Sequence, residues 1–367
     1  MGKSIQNQYM PDSISPPGET MLDTLEALGM TQANLAERTG RSTKMINEII
    51  KGKAPITPKM AIELERVLDV PATFWNNRER QYRETIARLE EHARLQEQVE
   101  WLGDFPINAM AKWGWIKKCK EKVPQVQEVL RSFGIASPER WPDVMERLGS
   151  QVAFRKSEVF EVDNHALIAW LRKGEIDAKE MPCEKYNEKR FQNTLNTIRH
   201  LSVEPPKVFQ HKIMQLCRAC GVAVVFVPEL PKTRVSGVTR WLTPNKALIQ
   251  LSLRYKSDDH LWFSFFHEAG HILKHGKKEI FIEGTSMEMA ADKEDVANRF
   301  SADCLIPRSE YNRLVENPPY SKLKIKAFAD QLGIAPGIVV GRLQHDKFLS
   351  MRNCNDLKKR FEWVRKQ

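Results

Sequence analysis

Leu261-Trp262-Phe263-Ser264-Phe265-Phe266-His267-Glu268-Ala269-Gly270-His271 is the stretch that decides how this chain is read. It predicts a helix on which two histidines four apart lie about 6 Å from each other along one face, close enough to grip one zinc ion. Glu268, beside the first histidine, projects toward the same ion and can take a proton from water activated there. The residues before His267 are aromatic and apolar, as expected of a core helix that holds polar groups against a metal. Charge returns only past His275, in Gly276-Lys277-Lys278-Glu279.

A hydrolytic zinc site takes three protein ligands and keeps one position open. The third ligand must come from elsewhere, and the segment Lys293 to Pro307 supplies the best candidate. There Val296, Phe300 and Cys304 form a stripe at helical spacing, and Pro307 ends the helix. Glu294 and Asn298 are also four apart, so one can bind the ion while the other hydrogen-bonds a ligand histidine. Asp295, Glu288 and Asp292 compete for the ligand role, whereas Asp303 is two turns too far along. His275 continues the histidine row about 12 Å from His267, which leaves it a substrate-facing or a capping role. Upstream, residues 236–242 and 247–253 read as two strands around the turn Thr243-Pro244-Asn245-Lys246. An edge strand near the metal of a zinc peptidase can receive substrate as an added strand. Arg240 could then stabilise an oxyanion or bind substrate, a plain surface arginine being the alternative.

A second signal sits near the other end. Thr31 caps a short helix that turns Leu35 and Ala36 inward, and Thr39-Gly40-Arg41 makes a tight turn. The next helix, Ser42 to Ile50, buries Met45, Ile46 and Ile49 or Ile50 and shows Thr43, Lys44 and Asn47, with Lys51 just beyond. Helix, glycine turn, helix is the plan whose second helix enters the major groove of duplex DNA. Asn47 and Gln32 could read adenine edges, while Arg41, Lys44 and Lys51 could reach guanine or phosphate.

Both regions resemble known families. The His-Glu-Ala-Gly-His run, with Glu294-Asp295-Val296-Ala297-Asn298-Arg299-Phe300-Ser301-Ala302 and Leu305-Ile306-Pro307, looks like the ImmA/IrrE metallopeptidases over residues 150 to 345. The family pattern usually reads Glu-x-Glu-Ala-Asn. Here Val296 stands at the second acidic position, so Glu294 matches the ligand. The resemblance implies a gluzincin-like α+β domain with zinc (or manganese) on His267, His271 and Glu294, and with Glu268 as general base. The string from Met30 to Asn77, closing on Leu68-Asp69-Val70-Pro71-Ala72-Thr73-Phe74-Trp75, resembles the Cro/C1-type DNA-binding domain of the HigA antitoxin group. That likeness covers about residues 19 to 80 and implies a five-helix domain. Such modules bind two-fold operators as dimers, so a homodimer is expected.

Composition limits easy electrostatics. The 367 residues carry 57 basic and 47 acidic side chains, net +10, yet residues 1–80 hold ten of each. A neutral reading head must sort its charges onto one face, and its nonspecific DNA affinity should be modest. The excess lies in residues 131–300 (26 against 22) and 301–367 (13 against 7). Six dispersed cysteines include Cys217-Arg218-Ala219-Cys220, which runs into the apolar strand 221–227 and reads as two core thiols at a helix end. Residues 1–18 form a polar, Pro- and Ser-containing tail without signal-peptide character, and no apolar run approaches membrane-span length; a cytoplasmic protein is expected.

The chain therefore reads as a multidomain, mainly α protein with an α+β part. Tail 1–18 precedes an all-α helix-turn-helix domain (19–80), a helical connector with aromatic anchors (81–150) and a zinc peptidase domain with C-terminal helices (151–367). Residues 328–343 again read as helix, glycine turn, helix, with a packing role preferred over a second DNA reader. The expected function is a DNA-binding, antitoxin-like transcriptional regulator that carries a zinc-dependent endopeptidase cleaving a regulatory or partner protein, with a toxin or repressor protein as partner or substrate. The rival is a non-proteolytic antitoxin whose peptidase fold docks a toxin or senses a signal.

Overall fold

The structure is a computed structural model and describes residues 15–149, 163–275 and 287–364, without the side chains of residues 149 and 287–291. Most of tail 1–18, the proposed 150/151 boundary, the charged run after His275 and the side chain of the competitor Glu288 fall outside it. The chain forms two compact units, Met1–Val99 and Glu100–Gln367.

The first unit holds α1 (Pro17–Ala27), α2 (Gln32–Thr39), α3 (Thr43–Ile50), α4 (Pro58–Leu68) and α5 (Ala72–Glu97). Each of the three inner helices starts on a hydroxyl cap. Thr31, Ser42 and Thr57 accept from the backbone N–H three residues on, which satisfies one otherwise orphaned donor per helix. Gly40 closes α2 at φ 64°, a left-handed conformation that a Cβ would strain. Leu35, Ile46, Ile49, Leu64 and Trp75 fill the core. Met45 departs from expectation and is 39% exposed, because the buried stripe of α3 runs through Ile46, Ile49 and Ile50, one helical step away. The fifth helix does not stop near residue 80. With neither Gly nor Pro inside it, and with Glu79–Arg83 and Glu84–Arg88 pairs four apart, α5 continues to Glu97.

In the second unit, α6 (Ile107–Lys112), α7 (Lys122–Phe133) and α8 (Trp141–Gly149) precede α9 (Asn164–Glu180), α10 (Glu188–His200) and α11 (Pro206–Arg218). Strands β1 (Val222–Phe226), β2 (Gly237–Thr243) and β3 (Lys246–Leu251) follow, then α12 (Asp258–Lys274), α13 (Met287–Leu305), α14 (Arg308–Val315), α15 (Lys322–Leu332) and α16 (Pro336–His345). The sheet order is β1-β3-β2, with β1 parallel and β2 antiparallel to β3. Strand alternation sends Val222, Val224, Trp241 and Ile249 into a core shared with α10, α11, α12 and α16. Ala223, Val225, Val238 and Leu248 face the other way, onto α9 and the 105–148 module. The expected connector thus packs on the sheet from residue 105 onward, through the ring cluster Phe105, Phe133, Trp141 and His165.

The C-terminal helix pair is a packing element. Gly333 turns α15 into α16 at φ 62°, but Ile338, Val339, Val340 and Leu343 are buried, so α16 offers no reading face. Among the described residues no helix is long and apolar enough to cross a membrane.

Candidate metal centre and DNA-reading helix

Helix α12 lies under the sheet with Leu261, Trp262, Phe265, Phe266, Ala269 and Ile272 buried. Its opposite side meets α13 at close range. A Cβ on Gly270 would come 3.0 Å from the Phe300 ring and 3.3 Å from the Ala297 Cα, so the glycine permits the approach. Beside Phe300 the α13 seam carries the small buried residues Ala297 and Ser301, and Ser301 donates to the Phe263 carbonyl at 2.8 Å. The larger stripe Val296, Phe300 and Cys304 is only half-buried. Close helix contact selects small side chains, which a search for large apolar ones passes over.

This contact brings three ligand atoms together. The Nε2 atoms of His267 and His271 are 3.0 Å apart, and the Glu294 carboxylate places one oxygen 3.2 Å from the first and the other 3.3 Å from the second. Ligand atoms of a tetrahedral zinc ion lie about 3.3–3.6 Å from each other, and one atom from each of the three residues lies within 4.8 Å of the other two. They are the group among the described residues able to hold a metal in this way. Asn298, one turn beyond Glu294, accepts from His267 Nδ1 at 2.9 Å. That bond keeps the proton on Nδ1 and turns the Nε2 lone pair toward the shared point. Asp292, Asp295 and Asp303 are exposed.

Glu268 is 1% exposed and sits against the start of β2. A Cβ on Gly237 would lie 2.8 Å from its Oε1, so the bare Cα of Gly237 makes room for the carboxylate. Thr239, two residues along, donates to the Glu268 backbone carbonyl at 3.0 Å. The sequence reading missed Gly237; the available signal was a glycine inside a strand, which marks a close approach to the backbone.

Two expected site residues are placed elsewhere. Arg240 is 2% exposed and points to the face of β2 opposite Thr239, where it donates to the Leu171 carbonyl at 2.7 Å. The one-residue step from Thr239 sends it away from α12, so neither the oxyanion role nor the surface reading fits. Burial pulls its guanidinium down to about 10, opposed by the nearby Glu175 charge. His275 caps α12, its Nε2 3.1 Å from the Lys293 carbonyl, which ties the ends of α12 and α13 together.

In the first unit, Thr43 and Lys44 on α3 and Lys51 beyond it are exposed, with Asn47 and Gln32 half-buried beside them. Arg41 is otherwise engaged. Its guanidinium makes a forked pair with Glu63 of α4 at 2.8–2.9 Å. It braces the turn between α2 and α3, and a DNA contact would cost that pair. The core thiols Cys217 and Cys220 are buried and unbridged, and burial pushes Cys217 well up, as inert core cysteines behave.

Comparison with known proteins agrees with this division. Residues 23–75 match the sequence model described as Helix-turn-helix, and residues 217–344 match the IrrE N-terminal-like domain, a metallopeptidase family. No curated protein matches. A solved structure, a candidate antidote protein of a plasmid maintenance system from Nostoc punctiforme, is 36% identical over 23% of this chain and 91% of its own, with a TM-score of 0.21. The chain therefore joins a helix-turn-helix domain, of the kind that binds DNA, to an IrrE N-terminal-like domain of metallopeptidase type.

Proposed function

We propose that the chain is a DNA-binding, antitoxin-like regulator whose second unit is a zinc endopeptidase acting on a toxin or repressor protein. The observation that carries the enzymatic half is the convergence of His267, His271 and Glu294 beside a buried Glu268. These three side chains would hold the ion, zinc by donor set and spacing, manganese being the alternative. Bound there, it would supply a Lewis acid that polarises water and the scissile carbonyl.

The chain's own groups account for the rest. Glu268 takes the proton from the attacking water and later delivers it to the leaving amine. Gly237 and Thr239 fix where that carboxylate sits, and Asn298 fixes the His267 tautomer. In the first unit, Gln32, Thr43, Lys44, Asn47 and Lys51 form the proposed DNA face, supported by the exposure of Thr43, Lys44 and Lys51 with Gln32 and Asn47 half-buried beside them. A homodimer on a two-fold operator follows from this type of reader.

The test is incubation of the full-length protein with the products of its neighbouring genes, beside a Glu268→Gln variant. Cleavage should fall about 10²- to 10⁴-fold in the variant. No cleavage, or equal cleavage by both proteins, defeats the proteolytic reading and favours a docking or sensing role for the domain.

A further inference from the structure

A recess at the head of α12 has no part in the arrangement above. It is shallow, half open to solvent, and lined by Ser236, Ser252, Arg254, Lys256, His260 and Ser264, among others. Its two walls lead to the catalytic carboxylate. Ser236 directly precedes Gly237, which backs Glu268, and Ser264 lies one helical turn before Glu268 on the same face of α12. That helical turn is about 5.4 Å, so the Ser264 wall of the recess leads toward the carboxylate.

Its chemistry is one-sided. Among the described residues its lining holds serine hydroxyls, a lysine, an arginine and an imidazole but no aspartate or glutamate. Two carboxylates open α12, and Ser257 of the recess wall is bonded to the second of them. Asp258 lies against Gly337, and Asp259 is held by Lys358 at 2.7 Å and by Ser257 at 2.6 Å. Parts of the wall are braced. Ser252 donates to the Val235 carbonyl at 2.6 Å, and the Arg254 guanidinium donates to the Arg234 carbonyl and lies over Tyr255. Tyr255 in turn stacks on His260, ring centroids 4.1 Å apart. Exposed Lys256 and the hydroxyls of Ser236 and Ser264 complete a cationic, donor-rich cup.

We infer that this recess is a specificity subsite for an acidic side chain, Asp or Glu, within two positions of the scissile bond. The inference rests on the peptidase reading above. A substrate laid along β2 would present alternate side chains to α12, and one of them meets the cup. A carboxylate there meets Lys256, Arg254 and serine hydroxyls, whereas a Lys or Arg would meet like charge.

The test digests a defined mixture of synthetic peptides, every residue type present at every position, with zinc-loaded full-length protein and maps the cleavage sites by mass spectrometry. Wild type, Lys256→Glu, Ser264→Asp and Glu268→Gln are run together, with metal content as the check on folding. Glu268-dependent cleavage should show Asp or Glu enriched about tenfold or more at one fixed position. Lys256→Glu and Ser264→Asp should each remove that enrichment. Glu268-dependent cleavage without it, or with it intact in both recess variants, overturns the subsite and leaves the peptidase standing. Absence of any Glu268-dependent cleavage overturns both.

Discussion

The reading unit and the metal centre are built by different means. In the first, every decisive feature is local: a hydroxyl cap three residues from the amide it satisfies, a glycine at a turn, a stripe on one short helix. Its polar face stays outside, and its main ion pair, Arg41–Glu63, is partly exposed. In the second, polar groups are carried inside, and each needs a partner from distant sequence. Glu268 rests on Gly237 and His267 on Asn298, while Glu175 is held by Arg172 and Lys179 of its own helix and faces the more distant Arg147 at 3.6 Å. Local construction tolerates loss of one polar contact; a buried network does not, because the partner left behind is desolvated and unpaired.

That contrast can be broken first at Glu175, 5% exposed on α9. Burial alone would raise its carboxyl, but hydrogen bonds from Lys179 and Arg172 outweigh it and hold the group at about 2, below the usual 4.5. A depressed folded-state value contributes stability that is present above about pH 4.5 and is lost as pH falls toward 2. Glu175→Gln should therefore destabilise the second unit at pH 7 by on the order of 3 kcal/mol, and the deficit should shrink across that acidic window. Denaturant midpoints at pH 7, 4 and 3 check this, and a pH-independent deficit would count against the network. Asn298→Ala comes next, with metal affinity or turnover expected to fall about 10- to 100-fold while the fold is kept. Unchanged metal affinity and turnover would mean that His267 needs no support. The smallest effect belongs to the first unit. Arg41→Ala should cost that unit under about 1 kcal/mol and leave operator affinity of the folded protein nearly unchanged. A tenfold loss of operator affinity would return Arg41 to the DNA face.

The same contrast explains what the sequence could disclose. Helix caps, the Gly40 turn, the three strands and the His267/His271 pair are short-range patterns, readable from spacing. Glu294 and Asn298 are also legible, because a second i, i+4 pair on a helix narrows the choice. Arg240 was not, since an arginine in an alternating strand reads as solvent-facing until α9 is known to cover that side. Nor was the small-residue seam of Gly270, Ala297 and Ser301, which exists only because two helices meet. The docking of residues 105–148 on the sheet is likewise settled by long-range packing rather than by any local signal.

Metal stoichiometry tests the central claim most directly. Elemental analysis of purified wild type, Glu268→Gln and His271→Ala should give about one equivalent of zinc or manganese in the first two and almost none in the third, with helical content and operator binding preserved in all. Less than half an equivalent in the wild type, or metal retained by His271→Ala, would contradict the centre described here.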